Sequence, residues 1–286
     1  MSLAIRIIPR LDIKGPNLVK GIHLEGLRVL GKPEEFAQHY YEQGADELLY
    51  QDVVASLYNR NSLDDFISKT ARTIFIPLTV GGGLRTVSDI TRVLRAGADK
   101  VTLNTAALKN PDFISQAANI FGSSTISISI EAQRQPDGRY LAFTDNGREY
   151  TGVEVVTWAK EVESRGAGEI IITSIDSEGT GEGYDRDLTA SVTKSVSIPV
   201  VAGGGAGSPS DVVDVINDSK ASAVSIASMF HYQLTATKHV DLNEVRSEGN
   251  IEFLKSNRPF SKITPTSLRQ TKEILLKNGL VVRPSQ

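Results

Sequence analysis

The sequence predicts a single α/β domain, a (β/α)8 TIM barrel made of two repeated half-barrels, with a C-terminal polar extension and a final helix. Three observations carry this expectation. Short apolar runs alternate with amphipathic stretches, the alternation yields eight strand–helix units, and motifs of the first half return in the second. Alternation of this kind points to a parallel sheet covered by helices. Eight units favour a closed barrel over an open doubly wound sheet, and 286 residues accommodate a barrel of about 250 with an appendage.

Predicted strands cover residues 5–11, 47–52, 76–80, 100–104, 125–131, 169–174, 199–202 and 223–227. Helical patterns cover 33–43, 86–96, 111–121, 153–165, 188–196 and 209–216. Ile76-Pro77 leading to Gly81-Gly82-Gly83 returns as Ile198-Pro199 leading to Gly203-Gly204-Gly205, and Glu47-Leu48-Leu49 returns as Glu169-Ile170-Ile171. Each copy lies about 120 residues after its counterpart, the spacing of a half-barrel that has been doubled. The barrel is expected over 1–232, a polar insertion over 233–262, and a terminal segment over 263–286 packing a helix on the barrel. In that segment Thr264-Pro265 is expected to supply the N-cap and first position of a helix over 266–278.

Hydrophobic residues at 40% and charged residues at 23% match an ordinary globular protein with a sizeable core. A formal charge of -3 gives no electrostatic reason to expect nucleic acid or a membrane as partner. No apolar run reaches the roughly 18 residues of a membrane span, and no signal peptide is recognisable. The chain is therefore expected in the cytoplasm. With no cysteine, disulfides, thiolate nucleophiles and zinc–thiolate sites are excluded. His23, His39, His231 and His239 show no ligand spacing, so neither a metal nor a cofactor is expected.

Glycine runs at strand ends suggest two anion cups. Gly81-Gly82-Gly83 precedes a helix opened by Arg85 to Asp89, and Gly203 to Gly207 repeats the arrangement. Glycines allow close backbone approach, and the first amides of a helix are unpaired donors. A lone run would be read as a tight turn. Two equivalent ones, beside Asn104-Thr105 and Ala227-Ser228, suit a small molecule carrying two phosphates.

Side chains alternate along a strand, so Glu131 shares a face with Thr125, Ser127 and Ser129, while Asp12 shares one with Arg6, Ile8 and Arg10. Two carboxylates at the mouth suit general acid–base chemistry. A structural ion pair with Arg10 is the competing explanation. At the other end Arg6, Glu47, Lys100 and Glu169 begin strands, where they either close the base as a salt-bridged ring or remain solvated.

The order of these motifs resembles the cyclase-subunit family of imidazole glycerol phosphate synthase. The resemblance rests on Arg6-Ile7-Ile8, Leu11 to Lys14, Val19-Lys20-Gly21, Asp46 to Leu48, Asp52 to Ser56, Thr79 to Gly83, Ala98 to Val101, Asn104 to Ala107, Gly166 to Ile170 and Gly203 to Gly207, spanning about residues 4–232. It implies a heterodimer with a glutaminase subunit docked at the N-terminal face, and ammonia passing up the barrel to a bisphosphorylated aminoimidazole carboxamide ribonucleotide. The products would be imidazole glycerol phosphate and an aminoimidazole carboxamide ribonucleotide. On this basis Asp12 and Glu131 are the acid–base pair. Gly83, Asn104 and Thr105 hold one phosphate, and Gly204, Gly205, Ala227 and Ser228 the other. Thr173, Glu178 and Gly179 complete the substrate site, Lys20 rides on a mobile loop over the mouth, and Arg6, Glu47, Lys100 and Glu169 form the ammonia gate.

Three departures from the pattern stand out. The family has aspartate where this chain has Glu131 and Glu178. It has a small or thiol residue where this chain has Arg10, and Gln51 also faces inward here. The polar stretch from 233 to 262 is additional. These changes keep open a paralogue that uses ammonia to amidinate a sugar in surface-polysaccharide synthesis. A sugar-phosphate isomerase on the same barrel would need the two mouth carboxylates but no basal gate. An inactive partner would only activate a glutaminase.

Overall fold

The structure is a computed structural model, and it describes residues 3–55, 63–237 and 262–285. Among the described residues, twelve strands form one sheet. They are β1 (Arg6–Lys14), β2 (Asn17–Ile22), β3 (Glu25–Gly31), β4 (Leu48–Asp52), β5 (Leu78–Gly81), β6 (Lys100–Leu103), β7 (Ile126–Arg134), β8 (Tyr140–Thr144), β9 (Glu149–Glu154), β10 (Glu169–Ser174), β11 (Val200–Gly203) and β12 (Ala223–Ile226). Eight of them, β1-β4-β5-β6-β7-β10-β11-β12, pair in parallel in that order. The circle closes through β12 and β1, with Arg6 opposite Ala223. This is the expected (β/α)8 barrel.

Its helices are α1 (Pro33–Glu42), α2 (Asp64–Ala71), α3 (Val87–Ala96), α4 (Thr105–Lys109), α5 (Asp112–Phe121), α6 (Val155–Ser164), α7 (Arg186–Thr193), α8 (Pro209–Ser219), α9 (Ser228–Thr237) and α10 (Leu268–Lys277). None among the described residues is long and apolar enough to cross a membrane. Outward strand residues such as Ile7, Leu11, Leu48, Ile128, Ile130 and Ile170 pack beneath Phe36, Trp158 and Val212 of the helices in one continuous core. Inward residues Ile8, Leu49, Ile171, Val201 and Ala223 form a separate apolar cluster inside the barrel.

The doubling extends to local detail. Thr86 and Ser208 occupy equivalent N-caps, each in a capping box with an aspartate three residues on. The Asp89 carboxylate accepts from the Thr86 amide at 3.0 Å, and Asp211 accepts from the Ser208 amide at 2.8 Å. Each box stiffens the helix that follows a glycine run and satisfies otherwise orphaned donors.

Two features were not anticipated. In each half the first strand runs on past the barrel rim and pairs with an antiparallel hairpin, β2–β3 on β1 and β8–β9 on β7. Turn signals were present at Pro136-Asp137-Gly138 and Asp145-Asn146-Gly147, where Gly138, Asp145, Asn146 and Gly147 all have positive φ. Helix α9 is hard to see in the sequence because Met229, Phe230, His231, Tyr232 and Leu234 are all buried, leaving no polar face to set a period. It also crosses the boundary expected at residue 232. Most of the polar stretch over 233–262 lies outside the described residues.

The last helix begins later than expected. Ser267, not Thr264, caps it, because Ser267 and Gln270 form a capping box that Thr264-Pro265 lacks. Lys272 of this helix is buried and donates to the Asp46 carboxylate at 2.8 Å and to the Gly44 carbonyl at 2.7 Å. Arg283 also donates to Asp46, at 2.9 Å, and Asp46 accepts from the Ile7 amide at 2.8 Å. Asp46 therefore ties helix and tail to the first barrel strand. Asp46→Asn removes the carboxylate charge that the buried Lys272 ammonium and Arg283 share, a loss of about 3 kcal/mol. Denaturant unfolding should show a lower midpoint at unchanged slope; an unchanged midpoint would refute the role.

Candidate active site

Three levels of side chains occupy the barrel axis, set by strand alternation. Arg6, Glu47, Lys100 and Glu169 lie at the base. Arg6 contacts Glu47 at 3.0 Å and Glu169 at 2.5 Å. Lys100 contacts Glu47 at 2.8 Å and Glu169 at 3.0 Å. The four alternate in sign and close on themselves. Thr79 donates to Glu47 at 2.5 Å and Ser127 to Glu169 at 3.3 Å. Burial acts to raise the Glu169 carboxyl, but the charges and hydrogen bonds of Arg6 and Lys100 outweigh it and hold it below its ordinary value. Of the two arrangements open to these charges, ring or solvation, the side chains adopt the ring.

Above the ring, Ile8, Leu49 and Ile171 each separate a basal charge from a polar residue nearer the mouth: Arg10, Gln51 and Thr173. The mouth itself is a buried cluster of ions. Arg10 Nε donates to Asp12 Oδ1 at 2.7 Å, and Lys20 Nζ lies 3.6 Å from Asp12 Oδ2 while pairing closely with Glu178. All four are at most 4% exposed. Two cations thus balance two carboxylates, and Glu131 is a third carboxylate facing them.

This imbalance separates the proton affinities of the two expected catalytic groups. Burial would raise the Asp12 carboxyl, yet the charges of Arg10 and Lys20 prevail and keep it ionised. Burial pushes Glu131 up to about 7; Arg10 and the Gly147 amide oppose the rise, and Asp12 and Asp145 add to it. An ionised carboxylate beside one that titrates near neutrality is the division of labour that acid–base catalysis needs. Asn104 Nδ2 donates to Glu131 at 3.1 Å and to the Phe143 carbonyl at 3.2 Å, fixing the carboxyl against the second hairpin. His231 cannot share this work: burial beside Lys20 pushes its imidazole down to about 3, and its Nδ1 is bonded to Tyr40 at 2.6 Å.

The two cups differ in volume. The first is a cavity of about 230 Å³ whose lining includes Gly83, Asn104, Thr105 and Glu131, as expected, together with Asp145 and Asn146. Sequence reasoning missed Asp145 and Asn146 because it missed the hairpin turn that carries them. Gly82 has a φ of 104°, and a Cβ there would collide with the Asp52 carbonyl. The second cup, lined by Glu178, Gly179, Gly204, Gly205, Ala227 and Ser228, also contains Arg10 and encloses only about 10 Å³. Gly204 has a φ of 87°, and a Cβ there would lie 2.8 Å from the Ser174 carbonyl.

One expected binding residue sits differently from the reading of the sequence. Lys20, placed by the resemblance on a mobile loop, lies in strand β2 with its side chain turned into the ion cluster. Thr173 is fully buried, its hydroxyl 3.4 Å from Arg10 Nη1.

Comparison with known proteins agrees with this architecture. A description of the histidine biosynthesis protein family matches residues 6–236. The imidazole glycerol phosphate synthase subunit HisF of Legionella pneumophila is 59% identical over 203 residues, covering 71% of this chain and 96% of its own length. The subunit of the same name from Methanopyrus kandleri is 48% identical over 250 residues, covering 81% of this chain and 92% of its own length. That from Prochlorococcus marinus strain AS9601 is 48% identical over 240 residues, covering 83% and 94%. With four-fifths of its length matched by one description and most of it by these relatives, the chain belongs to the histidine biosynthesis protein family.

Proposed function

We propose that this chain is the cyclase subunit of an imidazole glycerol phosphate synthase, a cytoplasmic lyase supplied with ammonia by a separate glutaminase. The observation that carries the reading is the closed ring of Arg6, Glu47, Lys100 and Glu169 beneath the acid–base pair, because a sugar-phosphate isomerase has no use for a gated base. The name shared by the relatives favours the same reading over sugar amidination.

In this scheme the glutaminase docks at the N-terminal face. Phe75, 79% exposed ahead of β5, and a cavity of about 480 Å³ beside Tyr41 and Arg283 offer apolar area on that face. Ammonia passes the ring and then the belt of Ile8, Leu49 and Ile171, which favours a neutral molecule over ammonium because an unpaired charge is costly there. The bisphosphorylated aminoimidazole carboxamide ribonucleotide spans the two cups. As nitrogen adds to its ketose carbonyl, Glu131 delivers a proton to the carbonyl oxygen and Asp12 takes one from nitrogen. The protonated oxygen then leaves as water, and ring closure with cleavage releases imidazole glycerol phosphate and an aminoimidazole carboxamide ribonucleotide.

The purified chain should turn over this substrate with an ammonium salt, and with glutamine only after a glutaminase subunit is added. Glutamine-dependent product from the chain alone would overturn the reading. Lys100→Met should leave ammonia-dependent kcat within about threefold while lowering product formed per glutamine hydrolysed by more than about tenfold. Equal loss of both activities would remove Lys100 from the gate.

The raised proton affinity of Glu131 has a measurable sign. A carboxyl near 7 in the fold and 4.5 when unperturbed favours the folded state fully below about 4.5, and that stability disappears as pH rises through 7. Wild type should therefore lose up to about 3 kcal/mol relative to Glu131→Gln between pH 4.5 and 8. Parallel pH profiles of the two unfolding free energies would show that Glu131 is ionised throughout.

A further inference from the structure

Arg10 is the one cation among the residues lining the second cup, and its guanidinium is only partly engaged. Nε is bonded to Asp12 at 2.7 Å and Nη1 reaches Thr173 at 3.4 Å, but Nη2 finds no acceptor among the described residues. The side chain is 5% exposed, so bulk solvent is kept from it. Leaving a charged donor unpaired in such a place costs more than leaving a neutral one. Ser225 Oγ, on the wall of the same cup, is also without a partner among the described residues. Opposite them are the backbone of Gly204 and Gly205 and the first turn of α9, where free amides favour an anion.

As it stands the cup holds about one water molecule. Glu178 forms part of its wall and is held by Lys20 of the hairpin. The hairpin is further anchored where the His23 amide donates to the Glu178 carbonyl at 2.8 Å. Admitting a phosphate to this cup therefore requires Glu178 to move aside and its contact with Lys20 to open. A planar guanidinium with one edge on a carboxylate and another facing outward can bridge two anions.

We propose that Arg10 is shared between the Asp12 carboxylate and a phosphate group bound in the second cup, so that filling the cup loosens its hold on Asp12. The proposal rests on reading this cup as a phosphate site. It adds to that reading a direct ligand, Arg10, and a coupling between occupancy and the catalytic carboxylate. Coupling of this kind is reciprocal: releasing Arg10 from Asp12 must tighten phosphate.

Isothermal titration of the full-length chain with inorganic phosphate tests both parts without reference to turnover, so the outcome is independent of whether the proposed reaction is found. Wild type should bind two equivalents, and Arg10→Gln one. Asp12→Asn should bind two, the second at least about threefold tighter than in wild type. A single equivalent in wild type, or two in Arg10→Gln, overturns Arg10 as a phosphate ligand. Unchanged second-site affinity in Asp12→Asn overturns the sharing. Should Arg10→Gln fail to unfold cooperatively, Arg10→Lys retains the charge but not the fork and should weaken the second site by more than about fivefold; unchanged affinity would again refute the proposal.

Discussion

Closing eight parallel strands into a barrel turns every second side chain onto an axis from which water is largely excluded, and this chain places ionisable groups at both ends of that axis. The constraint is severe, because an isolated charge in such surroundings is costly and survives only when paired. Pairing is what organises the interior. At the base, two cations and two carboxylates alternate around a closed ring. At the mouth, Arg10 and Lys20 balance Asp12 and Glu178. Glu131 is the carboxylate left over, and its burial raises its proton affinity more than the charge of Arg10 lowers it. The apolar belt between the two levels keeps the pairings local.

The three departures from the family pattern at the mouth belong together. Arg10 introduces a cation, and its charge acts on Asp12, Glu178 and Glu131 alike. Glu131 and Glu178 each extend one methylene further than the aspartates the family pattern leads one to expect. Two longer carboxylates around an added guanidinium form one coordinated change. It leaves the basal ring unchanged, puts Glu131 in the wall of the first cup, and puts Arg10 and Glu178 in the wall of the small second cup.

Doubling explains why the site has two of most things. Equivalent capping boxes at Thr86 and Ser208 support equivalent glycine runs, and equivalent hairpins extend the strands that carry Asp12 and Glu131. The copies have diverged where side chains meet. The first hairpin brings Lys20 inward to the ions, and the second brings Asp145 and Asn146 to the first cup. The polar segment after α9 interrupts the resemblance, yet the chain returns to the barrel through Asp46, whose carboxylate joins Lys272, Arg283 and the amide of Ile7.

By itself the sequence determined the barrel, its two halves, the inward faces of the strands that carry Asp12 and Glu131, and the charged residues at base and mouth. All of these follow from local periodicity and repetition, since a strand's alternation is set by its own backbone. The hairpins, helix α9 and the late start of the last helix were less legible, because antiparallel pairing and complete burial depend on distant partners and leave little period to read. Partnership among the charges belonged to the tertiary structure alone. Arg10 on Asp12, Lys20 between Asp12 and Glu178, and the open first cup against the closed second all bring together residues from different parts of the chain. Coulomb energy and desolvation depend on separation and burial in three dimensions, and one-dimensional spacing encodes neither.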